Sequence, residues 1–315
     1  MYAWEDGGIH LDKSAALPWR RKGHPLYSGS KRPPGINIPP YFNLKEYRKG
    51  QNQLGILEDY QEFVDELEKV WRECYRVLVP GGRIVCVVGD VCMSRRKYGR
   101  HVVMPLHSDI AVSCRKIGFD NLNPILWHKI SNAAFEANTH SSILGKPYEP
   151  NAIIKNDIEY ILMERKPGGY RKPTEQQRAE SKIGKEDFQN WFSQIWEMPG
   201  ASTKSGHPAP FPLELASRLV KMFSFVGDTV LDPFCGSGTT MLAAINNGRN
   251  SVGVETEAYY CDYAVQRIST GRSVLADYTF QYIDLSHEED SYVSQTEQSS
   301  TDKAASNRSR EQISI

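Results

Sequence analysis

Residues 231–240, LDPFCGSGTT, constrain the fold more than any other part of this chain. The run Thr229, Val230 and Leu231 ahead of them reads as a buried strand, entered through the turn pair Gly227 and Asp228. Behind them, the apolar spacing from Thr239 to about Asn247 predicts a helix. Asn250 to Glu255 then reads as a second strand, and Ala258 to Ile268 as a second helix. Strand, helix, strand, helix is the repeating unit of a doubly wound α/β sheet. The connecting loop of such a unit lies at the carboxyl edge of the sheet. Gly236, Ser237 and Gly238 let the main chain approach a ligand there, and the helix that follows offers unpaired N–H groups. Asp232 can accept a hydrogen bond at the loop entrance. Glu255, at the end of the next strand, stands where an acid accepts both hydroxyls of a ribose.

The rest of the chain supplies more of the same layers. Leu57, Tyr60, Phe63, Val64, Leu67, Val70, Trp71 and Cys74 recur at helical spacing within residues 56–79. Pro80, Gly81 and Gly82 end that helix, and Arg83 to Val88 reads as a buried strand with Gly89 and Asp90 at its edge. A basic connection, Arg95 to His101, leads to a helix predicted from about Val103 to Ile117. Pro124 to Lys129 and Asp157 to Met163 read as strands, separated by a polar loop with Asn132, Asn138 and Asn151. Residues 166–190 are rich in Lys, Arg, Gln and Gly and show little periodicity. Phe188, Trp191, Phe192 and Trp196 follow, and Pro212 to Phe225 is helical in pattern. The expected fold is an α/β three-layer sandwich around a mostly parallel, doubly wound sheet. Residues 1–285 form one domain, and 286–315, dominated by Ser, Gln, Thr, Asn and charge, form a disordered tail.

Charge is balanced in total, at 38 basic and 38 acidic side chains, but not in distribution. Residues 1–50 hold nine Lys and Arg against four Asp and Glu, residues 91–185 hold sixteen against nine, and the last sixty hold five against ten. Two basic segments suit either a polyanionic partner or a solvated surface. No apolar run approaches the roughly 18–20 residues that span a bilayer, and the N-terminus has no secretory pattern. A cytoplasmic protein without membrane contact is the expectation. The six cysteines (74, 86, 92, 114, 235 and 261) form no C-x-x-C pair, so no metal is expected and Cys86 reads as core.

A second segment is Pro39, Pro40, Tyr41 and Phe42. Two prolines fix an extended course, and an aromatic ring at its end can stack on an extruded base. With this segment the whole set resembles the amino-methylating DNA methyltransferases of the permuted class, in which the catalytic tetrapeptide precedes the cofactor loop. The resemblance runs from about Ile38 to Ser269. Pro39, Pro40 and Tyr41 match the end of the Ser/Asp/Asn-Pro-Pro-Tyr/Phe motif. His207 to Pro212 resembles the segment leading into the cofactor site. The resemblance implies a Rossmann-like fold and S-adenosyl-L-methionine held by Asp232, Pro233, Phe234, Gly236, Gly238, Thr239 and Glu255, with His207 and Phe211. It implies double-stranded DNA with a flipped base stacked on Tyr41, whose exocyclic amine attacks the sulfonium methyl without a covalent enzyme intermediate. Phe42, Arg95, Arg96, Lys97, Arg171 and Lys172 are candidate DNA contacts, residues 165–205 a candidate target-recognition region, and a cognate restriction endonuclease a possible partner. Monomer and homodimer both fit. His-Pro-Ala-Pro-Phe-Pro is closer to cytosine-N4 members, so N4 of cytosine is preferred over N6 of adenine.

Two departures matter. Ile38 stands where the motif has Ser, Asp or Asn, and it cannot accept a hydrogen bond; Asn37 points to the opposite face. Residues 28–35 lack the apolar run of a sheet strand, and two prolines do not belong in a central strand. An impaired enzyme, or a DNA- and cofactor-binding relic, is therefore the alternative. A nicotinamide oxidoreductase fails on motif order and on glycine count, since Met241 stands where a third glycine would fall. His207 either contacts the cofactor or caps the loop, and Trp191 and Trp196 either stack on DNA or pack in the core.

Overall fold

The computed structural model describes residues 35–37, 39–42, 53–93, 95–129, 150, 156–201 and 211–271. β1 is Gly35–Asn37 and α1 is Tyr60–Val77. Asp59 caps α1 by accepting from the Glu62 amide at 2.9 Å. Phe63, Val64, Leu67, Trp71 and Cys74 form its buried stripe. Gly81 turns the chain at φ +77, and a Cβ there would stand 2.6 Å from the Gly169 oxygen. β2 (Arg83–Val88) follows, then β3 (Val91–Met93), the one-turn α2 (Arg95–Tyr98) and β4 (Val102–Met104). Next come α3 (Leu106–Ile117), β5 (Asp120–Asn121), β6 (Ile125–His128) and β7 (Ile158–Arg165). α4 (Glu175–Glu180), α5 (Lys185–Trp191) and β8 (Ile195–Glu197) precede the last unit. That unit is α6 (Leu213–Phe223), β9 (Thr229–Asp232), α7 (Thr239–Asn246), β10 (Asn250–Gly253) and α8 (Ala258–Gly271).

Among the described residues the main sheet has eight strands in the order β10-β9-β1-β2-β7-β6-β8, with β5 beside β7. β10, β9, β1 and β2 are mutually parallel. β7 is antiparallel to β2, β5 and β6, and β8 is parallel to β6. Among the described strands of this sheet β7 alone therefore runs backwards, and the mostly parallel sheet expected from sequence is present. Alternation along β2 builds the two outer layers. Ile84, Cys86 and Val88 pack with α1 and α3 through Phe63, Leu67, Trp71, Leu106 and Ile110. Val85 and Val87 pack on the other face with Leu215, Leu219, Trp191 and Trp196. The two tryptophans are 9% and 2% exposed, so core packing is their role. Cys86 is fully buried as expected.

Three expectations change. Residues 35–37 do form a sheet strand, and a central one: Gly35, Ile36 and Asn37 pair with Ile84, Val85 and Cys86, and Gly35 also pairs with Leu231. Two longer neighbours supply the ladder on either side, so three residues without an apolar run suffice. Pro39 and Pro40 lie beyond its end, as the proline rule requires. The helix predicted from Val103 starts at Leu106, because Val102–Met104 pairs with Val91–Met93 in a separate hairpin. Residues 166–190 contain two short helices, the first with a capping box between Thr174 and Gln177. The loop with Asn132 and Asn138, the segment 28–34 and the tail 286–315 lie outside the described residues.

Candidate active site

Parallel strands β1 and β9 are hydrogen-bonded neighbours, so their carboxyl ends emerge side by side. β9 continues into the glycine loop. β1 leads, past Ile38, which lies outside the described residues, into Pro39, Pro40 and Tyr41. One edge of the sheet thus carries both motifs, the position where open α/β sheets bind ligands.

The glycine loop is a closed set of hydrogen bonds. Asp232 is 2% exposed and accepts from the Phe234 amide at 3.0 Å. Burial pushes its carboxyl up to about 7. The Cys235 amide donates to the Val254 carbonyl at 3.0 Å and the Val254 amide to the Asp232 carbonyl at 2.9 Å, which ties the loop to the end of β10. Gly238 caps α7 at φ +73, and a Cβ there would meet the Ala264 Cβ at 2.9 Å. Gly253 is tighter still: a Cβ would stand 2.5 Å from the Met241 sulfur and 2.8 Å from the Cys235 Cβ. Cys235 is buried, and its thiol is held well above its ordinary pKa by that burial, which leaves it a packing residue.

Glu255 holds the loop rather than standing free. One oxygen accepts from Gly236 N–H at 2.9 Å, the other from Thr256 and Glu257 N–H at 2.9 and 3.0 Å. A carboxylate offers about four acceptor sites, so room remains for a hydroxyl donor. Burial raises its pKa, and the three amides oppose that rise. Arg267, on α8, completes the loop. Its Nη1 donates to the Ser237 carbonyl, the Ser237 hydroxyl and the Thr239 hydroxyl at 3.2, 2.9 and 2.7 Å. Thr239 is 1% exposed; its side chain belongs to Arg267, and what it offers a ligand is main chain. Phe234 is half-buried and meets Trp71 edge-on at 6.1 Å, and Pro233 is half-buried beside it.

At the other motif, Tyr41 is half-buried and its hydroxyl donates to Glu159 Oε2 at 3.1 Å. Lys129 pairs with the other Glu159 oxygen. Asp90 accepts from His107, with Nδ1 2.6 Å away, and the His107 ring stacks on Tyr160 at 3.7 Å and 10°. Burial, then Asp90, raises the Tyr160 phenol. Tyr60 donates to Asp109 at 2.7 Å. A carboxyl edge with a ring, two acids, a lysine and a histidine on one side, and a glycine-built cradle on the other, can hold two different ligands.

The profile of the N6/N4 DNA methylase family matches residues 36–266. The chain belongs to that family. The type II methyltransferase M.MjaI of Methanocaldococcus jannaschii is 45% identical over 212 residues, 64% of this chain and 66% of that protein. M.MthZI, a type II methyltransferase of Methanothermobacter thermautotrophicus, is 37% identical over 225 residues, 68% of this chain and 61% of that protein. The chain thus spans slightly less than two thirds of these two curated relatives. Among solved structures, TTHA0409 of Thermus thermophilus, described as a DNA modification methylase and complexed with S-adenosyl-L-methionine, has a TM-score of 0.63 at 53% identity. That similarity covers 78% of this chain and 88% of TTHA0409.

For a member of the N6/N4 DNA methylase family, two of the candidate DNA contacts are misplaced. Phe42 is fully buried, with its ring edge-on to Tyr60 at 5.7 Å and Phe63 at 5.4 Å; it is core. Arg171 pairs with Asp228 and lies over the Phe225 ring at 5.5 Å. Asp228 is 4% exposed, and releasing Arg171 to a phosphate would strand a buried carboxylate. Lys172 is exposed, as are Arg95, Arg96 and Lys97 on α2. Phe211 packs against the Leu215 and Trp191 face, and His207 lies outside the described residues. Glu159, Lys129, His107 and Arg267 were not singled out from sequence. The polar Glu159 opening an apolar strand is the sole local signal for any of them.

Proposed function

We propose that this chain is an S-adenosyl-L-methionine-dependent DNA methyltransferase acting on an exocyclic amine, with N4 of cytosine preferred and N6 of adenine the alternative. One observation carries the reading: the ring of Tyr41 and the Asp232–Thr239 loop leave neighbouring parallel strands at one edge of the sheet. The donor set suits the cofactor, since Glu255 keeps an acceptor site and the glycine loop brings main chain to the edge. Asp232, Pro233, Phe234, Gly236, Gly238, Thr239 main chain and Glu255 would hold it, together with Phe211 and His207. When bound, it supplies an electrophilic methyl group. The chain's own part is to stack the flipped base on Tyr41, to exclude water and to hold the amine at the cofactor's edge. The basic one-turn helix Arg95, Arg96 and Lys97, with Lys172, suits phosphate contact. Within the candidate recognition region 165–205, Phe188 and Phe192 are 52% and 48% exposed and stack at 4.3 Å, which suits a partner surface. The type II names of M.MjaI and M.MthZI support a paired restriction endonuclease.

Ile38 is the departure that remains once β1 is in place. We infer slow turnover that Ile38→Ser raises about tenfold, the upper end of what one ordinary hydrogen bond of about 1.5 kcal/mol supplies. The deciding experiment incubates the full chain with cofactor and mixed unmethylated DNA, then digests to nucleosides for mass spectrometry. N4-methylcytosine is expected. N6-methyladenine would exchange the target base. Neither product, from wild type and Ile38→Ser alike, would overturn the activity, and calorimetry would then report whether cofactor binding survives. The relic alternative has no support among the relatives, which carry methyltransferase names.

A further inference from the structure

The one reversed strand among the described strands of the sheet places a carboxylate against the ring of Tyr41. Because β7 runs backwards, it begins at the edge where β2 and β6 end. Val88 pairs with Tyr160 and Trp127 with Glu159, so Glu159 lies beside the exit of both strands. Its Oε2 accepts from the Tyr41 hydroxyl at 3.1 Å, with the Val87 carbonyl a longer second acceptor at 3.5 Å. Its Oε1 pairs with Lys129, whose Nζ also lies 4.5 Å from the centre of the Trp127 ring. The two side chains of the pair are 14% and 20% exposed, so they are largely withdrawn from water. Gly89 makes the approach possible. A Cβ there would stand 3.3 Å from Glu159 Cγ and 3.5 Å from Tyr41 Cε2, so both side chains lie over its bare backbone.

We infer that Glu159, held by Lys129, is a positioning residue that fixes the ring of Tyr41 for the incoming base. An ionised carboxylate can only accept, so Tyr41 must donate and its hydroxyl is tied. At the near end, Pro39 and Pro40 restrict the backbone. A ring fixed at both ends presents one face and has little conformational freedom left to lose when a base stacks on it. Lys129 supplies the countercharge that lets a carboxylate sit in so little water. Glu159 touches neither substrate nor cofactor in this scheme and works through Tyr41.

The inference rests on the methyltransferase reading, so its test has two arms. In the first, urea unfolding of wild type, Glu159→Ala, Tyr41→Phe and the double variant reads the contact directly, whether or not the chain turns over. The double variant should unfold at the same midpoint as the weaker single variant; two independent shifts that add would overturn the inference. In the second arm, methyl transfer to mixed DNA is measured on the same four proteins. Each single variant should lower kcat about tenfold, as small misplacements near chemistry do, and the double variant should be no worse. KM for the cofactor should stay within about twofold, since the glycine loop is untouched. Glu159→Gln, whose amide oxygen still accepts from the hydroxyl, should retain more turnover than Glu159→Ala. Losses that multiply, or a loss confined to cofactor KM, would show Glu159 acting apart from Tyr41 and overturn the inference. Absence of methyl transfer by wild type would count against the proposed function instead, and the unfolding arm would still decide the contact. Should Glu159→Ala not fold, Glu159→Leu, which keeps the bulk and has no acceptor, takes its place in both arms.

Discussion

The two halves of the sheet edge are built in opposite ways. The half proposed to hold the cofactor is one continuous stretch of chain, residues 229–255, tied by bonds such as Cys235 to Val254 and Gly236 to Glu255. The half proposed to stack the base joins residues further apart in sequence: Tyr41 meets Glu159 across 118 positions, and Lys129 meets Glu159 across 30. A local motif can be specified by spacing and small residues. A non-local one is specified by the sheet, since β7 must run backwards before Glu159 can reach Tyr41. The halves should therefore fail differently when altered.

Truncating the ring should separate them most strongly. Tyr41→Ala removes the stacking platform and should lower methyl transfer at least about a hundredfold, within the range that stacking energies of about 1–3 kcal/mol per base and misalignment together give. Cofactor affinity measured by calorimetry should remain within about twofold, because stacking and cofactor binding draw on different residues. A comparable loss of cofactor binding would mean that the halves are one unit. Gly253→Ala is the reciprocal change. Its new Cβ collides with Met241 and Cys235, so the loop must move, and cofactor affinity should fall about tenfold, or about 1.4 kcal/mol. Unchanged affinity would place the ligand away from this loop. Arg267→Ala should act in the same direction but less, about threefold to fivefold in cofactor dissociation constant, because it removes one guanidinium shared among three acceptors while leaving the glycines in place. If its only effect were on thermal stability, Arg267 would be a packing clamp and nothing more.

The same contrast explains what could be read from sequence. The strand–loop–helix–strand course from Thr229 to Gly253 appears in the structure within a residue or two of its predicted bounds. Its glycines, turn and apolar runs are all local signals. Asp232 and Glu255 stand at the sheet edge as their spacing implies. That Glu255 is already bound by three amides is invisible to spacing, because it depends on where Gly236 turns. β1 escapes a sequence reading because its one strand-favouring residue, Ile36, stands between Gly35 and Asn37, both depleted in strands; β2 and β9 supply the pairing. Phe42 is a candidate DNA contact by its place in the motif, yet with a backbone φ of +50 it lies in the core. Arg171 reads as a free charge because Asp228, 57 residues away, cannot be paired with it from sequence.

Buried carboxyls offer the finest comparison. Asp232 and Glu164 are each 2% exposed, and burial raises each to about 7. Asp232 belongs to the glycine loop proposed to hold the cofactor. Glu164 lies at the far end of β7 and accepts from Asn121 at 2.6 Å, away from both motifs. An acid whose folded pKa lies above its unfolded value binds its proton more tightly when folded. For Glu164 that contribution is fully present below the ordinary value of 4.5 and is lost as pH rises through about 7. Glu164→Gln keeps the oxygen that Asn121 needs and removes the titration. Urea unfolding at about pH 5 and about pH 8 should show wild type losing about 1–3 kcal/mol more than the variant across that interval. Cofactor binding should be unaltered. Equal pH dependence in the two proteins would mean that Glu164 stays ionised in the fold and that burial on β7 costs it little. The corresponding amide substitution, Asp232→Asn, should flatten the pH profile too, but with weakened cofactor binding, because there the carboxyl also orders the Phe234 amide. A buried acid away from both motifs would then be tolerated by the fold, and one in the cofactor half retained for the ligand.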